Sequence, residues 1–209
     1  MKRKIRILIV DDHAMVRFAL AEAIAGETDL VLVAEAANGN EALELYRKHR
    51  PDVVTMDFHL PGADGVVTTA SLRSEFPDAR VLLLSVFEGE EDIWRAVQAG
   101  ALGYVPKSAE IAEVLEGIRE LDAGRGYFPP AIAARLEERR LRDTLSPREL
   151  QVLREIVAGH SNKEISSSLG LSEAAVKLYI SNTLAKLGVA DRTQAAIQAI
   201  RRGIVHLDT

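Results

Sequence analysis

The chain has 209 residues, of which 47% are hydrophobic, and a net charge of -5. It has no cysteine, which excludes disulfides and thiolate metal sites. No apolar run approaches the ~18–20 residues of a membrane span. Asp11-Asp12 also interrupt the stretch after Met1-Lys2-Arg3-Lys4 too early for a signal peptide. A soluble, cytoplasmic protein of two small domains is expected. Residues 1–125 hold 14 basic against 22 acidic residues, whereas residues 144–209 hold 8 against 6. That asymmetry predicts two jobs, with any polyanion partner belonging to the tail.

From the N-terminus, short apolar runs alternate five times with amphipathic segments. Strands are predicted at 5–10, 30–36, 52–56, 79–85 and 102–105. Helices are predicted at about 13–26, 39–49, 65–76, 89–99 and 108–123, with Gly26, Pro51, Gly65, Pro77, Gly100 and Gly124 at the junctions. This alternation implies βαβ units and a parallel sheet. Five such units give an α/β, flavodoxin-like, doubly wound sandwich with strand order 2-1-3-4-5.

Three of the runs end on chemically useful groups: Asp11-Asp12, Asp57 and Ser85. A fourth leads to Pro106-Lys107. In the expected order strands 1, 3 and 4 are neighbours, so these groups meet at one carboxyl edge, where open α/β sheets place their sites. Taken singly, each has a structural reading. Asp12 can cap the next helix, Ser85 can satisfy a backbone group, and Lys107 can be a solvated lysine. Their joint position at one end of consecutive strands favours chemistry. Three packed carboxylates repel one another unless a hard cation neutralises them, and Mg²⁺ with oxygen ligands suits that role. One carboxylate can then attack a phosphoryl group, with Ser85 and Lys107 holding its oxygens.

Residues 5–124 resemble the receiver domain of two-component response regulators. The resemblance rests on Val10-Asp11-Asp12-His13, Met56-Asp57, Leu60-Pro61-Gly62, Asp64-Gly65 and Gly103-Tyr104-Val105-Pro106-Lys107. It implies that Asp57 is the phosphoacceptor and that Asp11, Asp12, Asp57 and the His59 carbonyl bind Mg²⁺. It also implies that Ser85 and Lys107 contact the phosphoryl group and that Tyr104 is the switch aromatic. Val86 is bulkier than the small residue usual after the switch hydroxyl. His59 and Phe87 stand where the family tunes acyl-phosphate lifetime.

Residues 125–143 read as a linker, because Gly126-Tyr127-Phe128-Pro129-Pro130 blocks a continuous helix. Beyond it, Leu145-Ser146-Pro147-Arg148-Glu149-Leu150 and Ser161-Asn162-Lys163-Glu164 form capping boxes. Asp191-Arg192-Thr193-Gln194 forms a looser one. Four helices follow, at about 147–158, 162–169, 173–187 and 192–202. The second and third are joined by Leu169-Gly170-Leu171-Ser172, the short glycine turn of a helix-turn-helix.

On the third of these helices Val176, Ile180, Leu184 and Leu187 share one face. Ala174, Leu178, Ser181, Asn182 and Ala185 share the other. Small, uncharged residues there, with Lys163, Lys177, Lys186 and Arg192 around them, suit a DNA groove flanked by phosphates. The competing reading is a helix that packs on another protein. Residues 145–205 resemble the LuxR-type DNA-binding domain through the two capping boxes, Val176-Lys177 and Lys186-Leu187-Gly188-Val189.

The whole chain thus resembles the NarL/FixJ class of response regulators. The domains would be a receiver at 1–124, a linker at 125–143 and a small all-α, four-helix helix-turn-helix domain at 144–209. The class implies a transcription regulator phosphorylated by a sensor histidine kinase. It would be a homodimer when active, with promoter double-stranded DNA and RNA polymerase as partners and no membrane. The DNA-binding residues would be Lys163, Ser172, Lys177, Leu178, Ser181, Asn182, Lys186 and Arg192. The receiver would promote only its own phosphoryl transfer and dephosphorylation. Two alternatives stand beside this reading: a constitutive dimer of the same architecture, and an aspartate-nucleophile phosphatase. The second fits poorly, since His59 stands where a phosphatase wants a second acid.

Overall fold

A computed structural model of the chain describes residues 3–62, 64–86, 89–142 and 144–206. Phe87 lies outside the described residues. The chain divides into two compact units, one of residues 1–88 and 93–134, the other of residues 89–92 and 135–209.

The first unit carries the five-stranded parallel sheet, β1 (Ile5–Val10), β2 (Leu30–Ala36), β3 (Val53–Asp57), β4 (Val81–Ser85) and β5 (Gly103–Pro106), in the order β2-β1-β3-β4-β5. Strands β3 and β4 are buried along their whole length, which is why they read as unbroken apolar runs rather than alternating ones. The crossovers are α1 (Ala14–Ala25), α2 (Gly39–His49), α3 (Gly65–Glu75) and α4 (Glu90–Gln98), and α5 (Ile111–Asp122) follows β5. Helices α1 and α5 supply Leu20, Ile24, Val114, Leu115, Ile118 and Leu121 to a core shared with Ile7, Ile9, Leu82 and Val105 of the sheet.

Helix α5 starts three residues later than the sequence pattern suggests. The Ala109 amide donates to the Pro106 carbonyl at 3.0 Å, holding Lys107–Ala109 in a turn, and Glu110 becomes the N-cap residue. The linker stretch, described over residues 125–142, carries a backbone bridge and one helix, the latter in keeping with the helical composition of residues 131–141. Tyr127 makes a parallel bridge with Gly103, its amide donating to the Leu102 carbonyl and its own carbonyl accepting from the Tyr104 amide, both at 3.0 Å. Its ring packs against the sheet core. Helix α6 (Pro130–Arg140) then begins at the second proline, where a missing N–H costs nothing.

The second unit contains α7 (Pro147–Val157), α8 (Asn162–Leu169), α9 (Glu173–Leu187) and α10 (Arg192–Arg201). Both serine capping boxes form in full. The Asp191 side chain accepts from the Gln194 amide at 2.8 Å, but the Gln194 side chain reaches the Ala190 amide instead of closing the box. Gly170 (φ 64°) and Gly188 (φ 68°) end α8 and α9 in left-handed conformation. Val152 and Ile156 of α7, Ile165 of α8 and Val176 of α9 form one core cluster. Leu153, Leu187, Ala195 and Ala199 form another.

Candidate functional site

Sheet register brings the edge groups together. Val10 pairs with Met56, so the residues that follow, Asp11 and Asp57, lie side by side. Asp57 pairs with Leu84, and Ser85 with Pro106, which sets Ser85 and Lys107 one step beyond on the neighbouring strands. The Lys107 amide donates to the Ser85 carbonyl at 2.7 Å, fixing the last turn of the edge.

Asp11 and Asp57 are almost fully buried, whereas Asp12 is exposed. Lys107 Nζ lies 2.7 Å from Oδ2 of both Asp11 and Asp57, with only 15% of its side chain exposed. One ammonium thus bridges the two buried carboxylates. Each also gives a carboxylate oxygen to a cluster with Asp12, and Mg²⁺ fits an oxygen donor set of this kind.

Burial pushes the Asp57 carboxyl above its ordinary range, and the Asp11 charge adds to that. Lys107 and the His59 amide, 3.3 Å from Oδ1, pull the other way. Burial alone would lower the Lys107 ammonium. Its hydrogen bonds and attraction to Asp11 and Asp57 outweigh that and hold it above the ordinary value. A carboxylate whose charge is costly, set against an ammonium whose charge is secured, is arranged to accept an electrophile and neutralise the oxygens it brings.

Ser85 is 1% exposed, and the Tyr104 ring is fully buried, edge-on to Phe58 with centroids 6.4 Å apart. His59 is exposed and stacks on the other side chain of that pair, Phe58. Val86 is 69% exposed, so its bulk stands at the surface.

Two contributors to this edge were not picked out as site residues. A Cβ on Gly65 would fall 1.8 Å from the Asp57 carbonyl oxygen, so only glycine lets α3 begin so close to the end of β3. Arg95 of α4 donates to Asp64 Oδ2 at 2.9 Å while Asp64 caps α3 through the Val66 amide. The Asp64-Gly65 pair was visible as a helix start. Its closeness to Asp57 was not.

In the second unit α9 turns Val176, Thr183 and Leu187 inward and leaves Ala174, Lys177, Leu178, Ser181, Asn182 and Ala185 exposed, Leu178 by 60%. Ser172 caps α9, its hydroxyl accepting from the Ala175 amide at 3.2 Å, and Lys163 is exposed on α8. Two of the expected phosphate contacts are engaged within the unit. Lys186 Nζ lies 2.7 Å from the buried Glu149 carboxylate and 3.1 Å from the Thr144 carbonyl, and Arg192 donates to the His160 carbonyl at 2.5 Å. Lys186 and Ser146 hold the Glu149 carboxyl below its ordinary range against the opposing effect of burial. The Thr183 hydroxyl is buried without a hydrogen-bond partner, at i+7 from Val176 on the inner face.

A parallel-sheet edge that gathers Asp11, Asp57 and Lys107, followed by a helix-turn-helix, is the arrangement of a response regulator. Residues 7–119 match the response regulator receiver domain and residues 143–199 match the bacterial regulatory proteins of the luxR family. The chain belongs to this family of two-component response regulators, with a receiver and a LuxR-type DNA-binding domain. It is 32% identical over 206 residues to the response regulator protein VraR of Staphylococcus aureus, covering 96% of this chain and 99% of VraR. The crystal structure of the response regulator ChrA, from a heme-sensing two-component system, is similar at TM-score 0.57. It is 33% identical and covers 98% of this chain and 100% of ChrA. RcsB from Salmonella enterica serovar Typhimurium, solved bound to promoter P1flhDC with the phosphomimetic BeF3-, gives TM-score 0.74. At 21% identity over 94% of this chain and 98% of that one, it shows likeness of fold. Among the described residues no helix is long and apolar enough to cross a membrane.

Proposed function

We propose that the chain is a phosphorylation-controlled transcription regulator. A sensor kinase's phosphohistidine would donate to Asp57, and the aspartyl-phosphate would promote homodimerisation and promoter binding. The observation that carries this reading is Lys107 Nζ held 2.7 Å from both Asp11 and Asp57 at the sheet edge.

A carboxylate oxygen of Asp57 attacks phosphorus, and the phosphorus–nitrogen bond of the phosphohistidine breaks with its electron pair going to the imidazole. Lys107 would neutralise the incoming phosphoryl oxygens, and the Ser85 hydroxyl would donate a hydrogen bond to one of them. Asp11, Asp12, Asp57 and the His59 carbonyl would hold Mg²⁺, which supplies charge neutralisation on the phosphoryl group when bound. Movement of Ser85 toward the phosphoryl group, together with the buried Tyr104 ring, would bias a two-state receiver. Phosphodonor treatment of the purified chain, followed by sizing and DNA binding, tests the reading. A treated protein that remains unchanged in both would instead favour a constitutive regulator of the same architecture.

On DNA, the exposed face of α9 would enter the major groove, with Lys163 and Lys177 meeting phosphates and Ser172, Ser181 and Asn182 lining the contact. Paired half-sites match a two-fold dimer, and RNA polymerase would be the downstream partner. Leu178 is apolar and exposed, which suits a thymine methyl. Lys163→Ala is expected to weaken binding to all sequences alike and to reduce the salt slope by about one. Leu178→Ala should instead cost about 1 kcal/mol or more on the preferred site alone. Titrations on specific and random duplexes at several salt concentrations separate the two, and equal losses for Leu178→Ala on both duplexes would remove it from base contact.

A further inference from the structure

Lys186 has the charge and the helix position of a phosphate contact, yet its ammonium is committed within the second unit. Nζ lies 2.7 Å from Glu149 Oε2 and 3.1 Å from the Thr144 carbonyl, and the side chain is 32% exposed. The same Glu149 oxygen accepts from the Ser146 amide at 2.7 Å. One buried carboxylate oxygen therefore joins the first turn of α7 to the last turn of α9.

Apolar packing alone does not fix how α9 is rolled on its neighbours. Val176 clusters with Val152, Ile156 and Ile165, and Leu187 with Leu153 and Ala195. Such contacts are non-directional, whereas a charge-assisted hydrogen bond sets donor and acceptor in place. Leu178, Ser181 and Asn182 are exposed on the same helix as Lys186, so a change of roll at this tie moves all three.

We propose that Lys186 is a positioning residue. Through Glu149 it fixes the roll of α9 on α7 and so aims Leu178, Ser181 and Asn182 at base edges, without touching a phosphate itself. The role rests on the reading of α9 as the recognition helix.

The test compares the full chain, treated with phosphodonor and Mg²⁺, with its Lys186→Met, Glu149→Gln and double variants. Methionine keeps an unbranched stem, and glutamine can still serve the Ser146 amide in the capping box. Affinity is titrated at several salt concentrations on a duplex that the wild type selects from a random pool, and on a random duplex. Each single variant should lose about tenfold or more on the selected duplex and less than about threefold on the random one. The salt slope should stay unchanged, and the double variant should lose no more than either single one.

A phosphate contact gives the opposite pattern. Lys186→Met would then weaken both duplexes alike and lower the slope by about one, while Glu149→Gln would free the ammonium and leave binding intact or stronger. Either result overturns the proposal. Variants that melt earlier but keep the wild-type ratio of selected to random affinity below their melting range would reduce the pair to a stabilising role, and overturn it too. Should Glu149 without its cation unfold the unit, the double variant, which buries no charge there, carries the same comparison. A wild type that selects no duplex would remove the recognition-helix reading, and the role of Lys186 with it.

Discussion

Asp57→Asn is expected to abolish phosphoryl incorporation while making the fold more stable at neutral pH. The first effect follows from chemistry, because an amide is not a nucleophile toward phosphorus and Asp57 is one of two buried carboxylates facing Lys107, the one proposed to attack. Intact mass after treatment with a small-molecule phosphodonor and Mg²⁺ should show one added phosphoryl on the wild type and none on the variant. Equal incorporation by both chains would move the phosphoacceptor elsewhere.

The second effect follows from linkage. Burial and Asp11 raise the Asp57 carboxyl above its ordinary value of 3.8, so folding favours the protonated form. The stability cost is absent at low pH and grows as pH rises from the ordinary value through the raised one. Asparagine avoids that cost. The variant should therefore melt at a higher temperature at pH 7, with the difference shrinking as the solution is made acidic. A gap that stays constant across this range would mean the charge of Asp57 is not what the fold resists.

Lys107→Ala should act in the opposite direction. Its loss leaves Asp11 and Asp57, both nearly fully buried, with no cation between them. Breaking such an arrangement by deleting one partner is expected to cost roughly 3 kcal/mol. Added Mg²⁺ should recover part of that loss, since an ion that binds the folded chain alone stabilises it by mass action. Phosphoryl transfer should fall by about a hundredfold or more, because the oxygens lose their fixed positive neighbour. Urea unfolding with and without Mg²⁺, beside a rate of incorporation from the phosphodonor, measures all three. Unaltered stability together with an unaltered rate would make Lys107 a bystander.

The sheet and its edge were legible because parallel strands buried on both faces leave a strong trace. Ile5–Val10, Val53–Asp57 and Val81–Ser85 are nearly uninterrupted apolar runs, and each run delivers its polar residue at the same end. The helices of the tail were legible through their caps, since Ser146 and Ser161 satisfy amides that must be satisfied somewhere. Pairings between distant segments left no such trace. Lys186 and Arg192 have the charge and the helical position of phosphate contacts, but periodicity cannot show that Glu149 and the His160 carbonyl already hold them. Glu149 could be read as a capping-box residue, and it is one. Its second partner, 37 residues away, depends on how α7 crosses α9. Gly65 was visible as a junction glycine, whereas the reason only glycine fits lies in the Asp57 carbonyl across from it.

The bridge between Tyr127 and Gly103 bears on how the sheet ends. Strand β5 is the outermost member on its side, and an uncovered outer strand offers its backbone to any other extended chain. The Tyr127 segment takes up the Tyr104 amide and the Leu102 carbonyl and lays an aromatic ring over the nearby core. It works as a seal on that margin. A receiver cut after residue 124 would keep Asp11, Asp57 and Lys107 but expose a sticky border, whereas one that continues through Phe128 would carry its own protection against self-association.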